Sequence, residues 1–198
     1  MVSWLPRMSY PPLIPAVTKD LNLTYADAGL LMTGLWIGYL LMQMPSGFIS
    51  DRIGVKRTFQ VALPLIGVIC ILTGTASNFT TFLAYRFLNG LVSGFIFALG
   101  SALVIRWFPP KDRAMVIGLY LTSGSVGQIA ALTTSSWILA ALGSWRWPFW
   151  LLGFLPIATT IPVTIKIKET PESTATMVAS EESMAFAEGN KREKPGFT

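Results

Sequence analysis

The sequence predicts an all-α integral membrane protein built as a six-helix transmembrane bundle. Of its 198 residues, 52% are hydrophobic and only 13% are charged, and the mean hydropathy is +0.55. The apolar residues form blocks close to the roughly 20 residues that a membrane-spanning helix needs, and most of the charges lie in the short turns between the blocks. We therefore expect spans at about 2–17, 28–49, 59–76, 82–107, 114–142 and 147–165.

The first of these spans is the shortest. As a helix, the segment from Val2 to Val17 would rise about 24 Å, less than the roughly 30 Å of the hydrocarbon layer, and it carries Arg7 and four prolines. No charged region precedes an apolar run and no small-residue cleavage site follows, which disfavours a signal peptide. We interpret the segment as the outer part of a helix whose beginning is missing.

The distribution of Lys and Arg predicts the orientation in the membrane, because these residues concentrate in cytoplasmic loops. Eight of them fall in three alternate connections and two in the others, so we expect both termini in the cytoplasm of a cell-membrane protein. The net positive charge of the chain is therefore explained by membrane orientation, and we expect no nucleic-acid partner. The eight are Arg52, Lys56, Arg57, Arg106, Lys111, Arg113, Lys166 and Lys168, and the two are Lys19 and Arg146.

Residues 169–198 differ in composition from the rest of the chain. They are rich in Glu, Ser, Thr and Lys and contain few bulky apolar residues, so they cannot bury enough surface to fold independently. We expect a disordered cytoplasmic tail or the remnant of a central loop, in which a short helix could form over 178–188.

The residue types argue against enzyme, metal and cofactor chemistry. The chain has no histidine, and its single cysteine, Cys70, lies in the middle of a predicted span, which excludes an intramolecular disulfide. No carboxylate is evident inside a span, and no Gly-x-Ser-x-Gly or metal motif is present. We therefore expect no catalytic residues, no metal and no cofactor.

Two arginines inside the predicted spans, Arg7 and Arg86, are the main site candidates. A buried arginine costs several kcal/mol unless it faces water, a partner or a ligand. If both face a central cavity, they favour an anionic substrate or modulate a coupled proton. Alternatively, Arg7 extends its charged end toward the membrane surface or sits near a chain end that never enters the bilayer, and Arg86 is a structural cation bonded to backbone carbonyls in the outer half of the bundle.

Several neutral polar residues are placed to line the same cavity, although ordinary hydrogen bonding between helices is the alternative role for each. Two glycine pairs, Gly34 with Gly38 and Gly90 with Gly94, have the spacing that lets helix backbones approach, and we expect them to serve bundle packing. The polar candidates are Tyr10, Tyr39, Gln43, Asn89, Tyr120 and Gln128.

A charged turn between the second and third predicted spans has the pattern G-x-x-x-D-R-x-G-x-K-R. This pattern resembles the loop signature that joins helices two and three in the major facilitator superfamily, although Val55 stands where that family usually has a basic residue. Gly54 suits a tight turn with positive φ, and Asp51 can bond helix-end amides or nearby cations. The motif residues are Gly47, Asp51, Arg52, Gly54, Lys56 and Arg57.

Other stretches resemble the same family in the same order, over residues 1 to about 170. RMSYPPLIPAVTKDLNLT is similar to the outer half of helix one and its loop, and YRFLNGLVSG to the arginine-bearing motif of helix four. WFPPKDRAMVIGL resembles the loop between helices four and five, with Arg113 as the expected basic partner of the Asp51 loop, and GSWRWPFW resembles the join between helices five and six.

The resemblance implies secondary active transport of a small solute, with or without a coupled proton or other ion. Family members consist of two six-helix bundles that rock about a central site, and the Asp51 loop latches against the second bundle. The family's drug antiporters commonly carry a Gly-Pro pair in helix five, which GLYLTSGSVGQIAAL lacks. An arginine in helix one is similar to members that handle organic anions, and the resemblance therefore leans toward an anion.

The chain resembles only the first of the two bundles. This leaves three accounts, in order of preference: an inactive gene fragment, a half that pairs with a separately encoded second half, or a homodimer of halves. A membrane scaffold without transport activity is a further alternative, but it leaves the Asp51 loop unexplained.

Overall fold

A computed structural model describes residues 3–53 and 55–166, and this part of the chain is all-helical. Gly54 and residues 167–198 lie outside the described residues, and with them the predicted tail and its short helix. The helices are α1 (Trp4–Met8), a 3₁₀ turn (Pro11–Leu13), α2 (Ile14–Asp20), α3 (Tyr25–Ile53), α4 (Val55–Thr73), α5 (Phe79–Trp107), α6 (Pro110–Leu142) and α7 (Arg146–Lys166).

The first predicted span is not one continuous helix. It is divided into α1, the 3₁₀ turn and α2. The backbone between α1 and the 3₁₀ turn nevertheless keeps helical angles, with φ −68° and ψ −25° at Ser9 and φ −74° and ψ −43° at Tyr10. Proline has no backbone N–H, so Pro11, Pro12 and Pro15 remove hydrogen bonds without turning the chain. The segment continues as far as Asp20, beyond the predicted end at residue 17.

Polar caps in the turns set several helix ends. Before α3, the Thr24 N–H donates to Asp27 Oδ2 at 2.9 Å and the Asp27 N–H donates to Thr24 Oγ1 at 3.1 Å, a reciprocal capping arrangement. Asn78 Oδ1 accepts from the Thr81 N–H at 2.8 Å at the start of α5. Since these caps extend the helices past their apolar blocks, α3 and α5 each begin three residues before the predicted boundary.

The C-terminal end of α6 is closed by a glycine. Gly143 has a φ of 68° and donates its N–H to Leu139 O at 2.9 Å. Glycine adopts this left-handed conformation without steric cost, and α6 therefore ends at Leu142, the boundary expected from the sequence.

Within the described residues, three helical stretches are, by length and composition, able to cross a membrane: Tyr25–Ile49, Phe79–Ile105 and Pro110–Leu142. A further apolar stretch, Arg57–Thr73, is shorter. In the apolar window of α5, 56% of the residues are buried within the chain, compared with 22% for α3 and 17% for α6. Helix α5 is thus the most enclosed of the three, while α3 and α6 keep broad exposed faces.

Helices α3 and α5 pack through the two predicted glycine pairs. A Cβ atom built on Gly90 would collide with Leu35 O and lie 3.0 Å from Tyr39 N, and one built on Gly94 would lie 2.8 Å from Tyr39 O. Gly38 in turn lies directly against Phe87 O. The expectation of close backbone packing is confirmed for this helix pair.

Helices α4 and α7 form a second close pair. Gly67 and Gly153 face each other, and a Cβ built on Gly153 would lie 2.9 Å from Gly67 O. In the same interface, Cys70 is buried and its Sγ donates to Phe149 O at 3.3 Å.

An aromatic cluster joins the first segment to α5 and α7. The ring of Phe82 lies 5.5 Å from that of Tyr10, 5.7 Å from that of Trp145 and 5.9 Å from that of Phe149, measured between centroids. Beside the cluster, Asp20 Oδ2 accepts from Trp145 Nε1 at 3.0 Å and from Arg146 Nη1 at 2.8 Å. These bonds tie the end of α2 to the start of α7.

The glycine packing leads to a first prediction. Gly90→Ala should destabilise the bundle by about 1–3 kcal/mol, because the added methyl group must push α3 away. Gly118→Ala is the matched control, since a Cβ at Gly118 meets no atom within 4 Å and alanine is the better helix former by about 1 kcal/mol. Thermal unfolding in detergent measures both variants, and equal melting temperatures would contradict the predicted collision.

Asp20 gives a second prediction. The hydrogen bonds from Trp145 and Arg146 lower the pKa of this carboxyl from its ordinary value of 3.8. Its contribution to stability is therefore fully present above about pH 4 and is lost as the pH falls through the lowered pKa. In thermal unfolding from pH 7 to pH 3, the difference in melting temperature between the wild type and Asp20→Asn should shrink at the acid end; a constant difference would show that ionisation of Asp20 is irrelevant.

Candidate functional site

The guanidinium of Arg7 lies among three aromatic rings. Its Cζ atom is 4.3 Å from the ring centroid of Trp4, 4.3 Å from that of Tyr39 and 5.3 Å from that of Trp36. The side chain is only 2% exposed. It packs inward against two residues of α3. We call Trp4, Trp36 and Tyr39 the aromatic cage.

One edge of this guanidinium has no hydrogen-bond partner. Nε and Nη2 of Arg7 are both buried and unpaired, and these two groups form the side of the fork that binds a carboxylate with two parallel bonds. The acidic side chains that the structure describes lie elsewhere: Asp20 is bonded to Trp145 and Arg146, Asp27 is bonded to Thr24, and Asp112 is exposed. The cage therefore holds a buried cation that no carboxylate contacts among the described residues.

Arg86 is enclosed beside the cage, with 1% of its surface exposed. Its Nη1 and Nη2 lie 3.4 and 3.5 Å from Arg7 O, and Nη2 also lies 3.4 Å from Met32 Sδ. The guanidinium lies over the Tyr10 ring at 4.8 Å, and its Nε is unpaired. These contacts agree with the sequence alternative in which Arg86 is bonded to a backbone carbonyl.

A row of rings leads from the cage to α6. The Tyr39 ring is 6.5 Å from that of Phe97, and the Phe97 ring is 6.0 Å from that of Tyr120. Tyr120 donates its hydroxyl to Ile96 O at 3.4 Å. The structure therefore places Tyr10 against Arg86 and Tyr39 against Arg7. Tyr120 contacts Phe97, the ring next to Tyr39.

The other polar candidates lie apart from the arginines. Asn89 is buried and accepts from Ser93 Oγ at 3.4 Å, Gln43 is half-buried on α3, and Gln128 is exposed on α6. Among the described residues, none of the three hydrogen-bonds to Arg7 or Arg86. That Asn89, Gln43 and Gln128 line a cavity stays a prediction.

Sequence reasoning missed the two tryptophans of the cage. Each lies three residues before a residue that was identified: Trp4 before Arg7 and Trp36 before Tyr39. Residues at this spacing share a helix face, so the aromatic neighbours of both candidates were present as a signal. In the described residues, no group of three metal-ligating side chains is found, and the site consists of cationic and aromatic groups.

The charged turn between α3 and α4 is described only in part. Arg52 and Arg57 are exposed, whereas Gly54 and the side chains of Asp51 and Lys56 lie outside the described residues. Gly47 belongs to α3. Arg113, the expected partner of this turn, donates its Nε to Phe108 O at 3.0 Å, and its pairing with Asp51 remains a prediction.

Comparison with known proteins gives a consistent result. A family model described as Major Facilitator Superfamily matches residues 1–192. A probable sulfoacetate transporter of Cupriavidus necator is 24% identical over 193 residues, covering 97% of this chain and 45% of the relative. A hexuronate transporter of Bacillus subtilis is 28% identical over 174 residues, covering 88% of this chain and 41% of the relative.

Among solved structures, a bacterial homologue of the human lysosomal transporter Spinster, in an inward-facing and unoccupied conformation, superimposes with a TM-score of 0.78. The match covers 86% of this chain and 41% of the other at 19% identity, and it therefore establishes a similar fold. The chain spans rather less than half the length of the curated relatives it matches.

Proposed function

Because the chain belongs to the major facilitator superfamily, we propose that it forms the first six-helix bundle of a secondary transporter that carries a small organic anion by alternating access. The observation that carries this proposal is the unpaired edge of Arg7 inside the aromatic cage. The relatives named for the transport of sulfoacetate and hexuronate, both organic anions, support the same substrate class.

A buried charge is costly unless it is paired and hydrogen-bonded. The cage offers ring faces, which attract the planar cation from above and below, but ring faces cannot accept hydrogen bonds from the Nε and Nη2 edge. A carboxylate or sulfonate oxygen pair would satisfy both groups, and charge-assisted bonds of this kind are the strong ones. A bound anion therefore offsets part of the desolvation cost of the buried Arg7 guanidinium.

The three cage rings are each half-buried and so form part of the surface of the chain, whereas Arg7 is only 2% exposed. A ligand thus reaches the guanidinium only when a ring moves. We propose that this surface faces a second six-helix bundle, supplied by another chain, a second copy or further sequence. Exposed apolar side chains on α3 and α6, such as Leu40 at 66%, Ile129 at 62% and Trp137 at 73%, are suited to contact lipid or that bundle.

We propose that the protein crosses the membrane six times, with α1 and α2 forming one span and both termini in the cytoplasm, and that a proton or other ion is coupled to transport. The turn around Asp51 would then govern the exchange between the two access states at the cytoplasmic side.

The proposed role of Arg7 is tested by substitution. In proteoliposomes that contain this chain together with a second six-helix bundle, Arg7→Gln should weaken the apparent affinity for hexuronate or sulfoacetate by about 10- to 100-fold, because a charged hydrogen-bond pair contributes about 1.5–3 kcal/mol. Arg7→Lys should not restore it, since an ammonium lacks the two-donor edge.

The matched control is Lys111→Gln, which removes one positive charge at an exposed position of α6. It should leave the affinity unchanged. An Arg7→Gln transporter with wild-type affinity for every anion that the wild type carries would overturn the anion site.

The Asp51 loop gives a separate prediction. Asp51→Asn should lower the transport rate while membrane insertion and substrate affinity are retained, because the loop is proposed to govern conformational exchange. Uptake rates normalised to the amount of inserted protein provide the measurement, with the exposed Asp112→Asn as the control. Wild-type rates in Asp51→Asn would refute the assigned role of the loop.

A further inference from the structure

Because of Pro11, the carbonyl of Arg7 lacks the backbone N–H donor that it would have in a continuous helix. In a continuous α-helix, the N–H of residue 11 donates to the carbonyl of residue 7. Pro11 has no N–H, and the backbone at Ser9 and Tyr10 nevertheless keeps helical angles. The carbonyl of Arg7 therefore points along the helix toward a donor that the sequence has removed.

Arg86 supplies donors at that position. Its Nη1 and Nη2 lie 3.4 and 3.5 Å from Arg7 O, and its guanidinium is held over the ring of Tyr10, within the same break. Each of the two bonds is long, but they converge on one acceptor from a cation that is 1% exposed, and low-dielectric surroundings strengthen such contacts. The side chain from α5 thus replaces the missing backbone N–H.

We propose that Arg86 is a positioning residue for Arg7: by binding the carbonyl that Pro11 releases, it fixes the backbone from which the Arg7 side chain enters the aromatic cage. Arg86 then acts on the anion through Arg7 and does not contact the anion itself. The proposal rests on the proposed anion site for its functional consequence, while its structural part concerns only Arg86, Pro11 and the Arg7 carbonyl.

The proposal makes the effect of Arg86 depend on the residue at position 11. Pro11→Ala restores an N–H that can donate to Arg7 O, so Arg86 becomes partly dispensable in that background. If Arg86 instead contacted the anion, its removal would have the same effect with either residue at position 11. A double-mutant cycle separates these cases.

The carbonyl can be observed directly. Arg7–Met8 is the only Arg–Met pair in the sequence, so labelling the arginine carbonyls with ¹³C and the methionine amides with ¹⁵N leaves a single correlated signal, from Arg7 C=O. In the 198-residue chain in detergent micelles, Arg86→Met should move this ¹³C signal upfield as the hydrogen bonds are lost. Arg86→Lys, which keeps a donor, should restore part of the shift, and Pro11→Ala combined with Arg86→Met should restore most of it.

Anion affinity completes the test, with D-glucuronate and sulfoacetate as probes of the transporter that contains this chain and a second six-helix bundle. Arg86→Met should weaken binding about tenfold when proline is kept at position 11 and about twofold or less in the Pro11→Ala background. Equal losses in both backgrounds, or a carbonyl signal that does not respond to Arg86→Met, would overturn the positioning role.

The two proposals fail in different ways. If the wild-type transporter takes up no organic anion, the proposed function fails, and the carbonyl signal still decides whether Arg86 binds Arg7 O. If Arg86→Met does not yield folded protein, the single variants Arg86→Lys and Pro11→Ala replace it in the test. An Arg7 carbonyl signal that is identical in both variants and in the wild type would refute the proposal.

Discussion

The contact between the backbones of α3 and α5 determines the geometry of the rest of the site. Gly90 lies against Leu35 O and Tyr39 N, so the two helices touch without any side chain between them. Tyr39 belongs to the aromatic cage, and Arg86 lies one turn before Gly90 on the opposing helix. The α3–α5 interface therefore fixes the position of Tyr39, whose ring contacts Arg7. It also fixes how far Arg86 lies from that ring. A bulkier residue at the contact would separate the two arginines as well as the helices.

The site then holds two guanidinium groups with no carboxylate contacting either of them in the part of the chain that the structure describes. Burial of an unpaired charge is costly, and here ring faces, a main-chain carbonyl and a thioether sulfur offset only part of the cost. A fixed carboxylate would lower the cost further, but it would also compete with an incoming anion for the same N–H edge. In the proposed anion site, an incompletely satisfied cation leaves its N–H edge free to bind and release the ligand.

Much of the fold followed from local patterns in the sequence, and much of the site did not. The apolar blocks, the paired glycines and the two arginines were visible because each depends on spacing within one segment. The bond between Arg86 and Arg7 O joins positions 79 residues apart, and no local pattern encodes it. The exposure of Gln128 could not be predicted either, because polar and apolar residues are mixed around all sides of α6 and such a helix gives no periodic signal for its buried face. The early starts of α3 and α5 came from side-chain caps, which hydropathy does not register.

The buried thiol between α4 and α7 has a practical consequence for studies of motion in this protein. Cys70 is the only cysteine in the chain, is 1% exposed and is bonded to the main chain of α7. A maleimide reagent added to the folded bundle therefore has no accessible native target. Single cysteines placed on exposed helix faces can carry spin or fluorescent labels without first altering the native sequence, and delayed labelling of Cys70 would report the separation of α4 from α7.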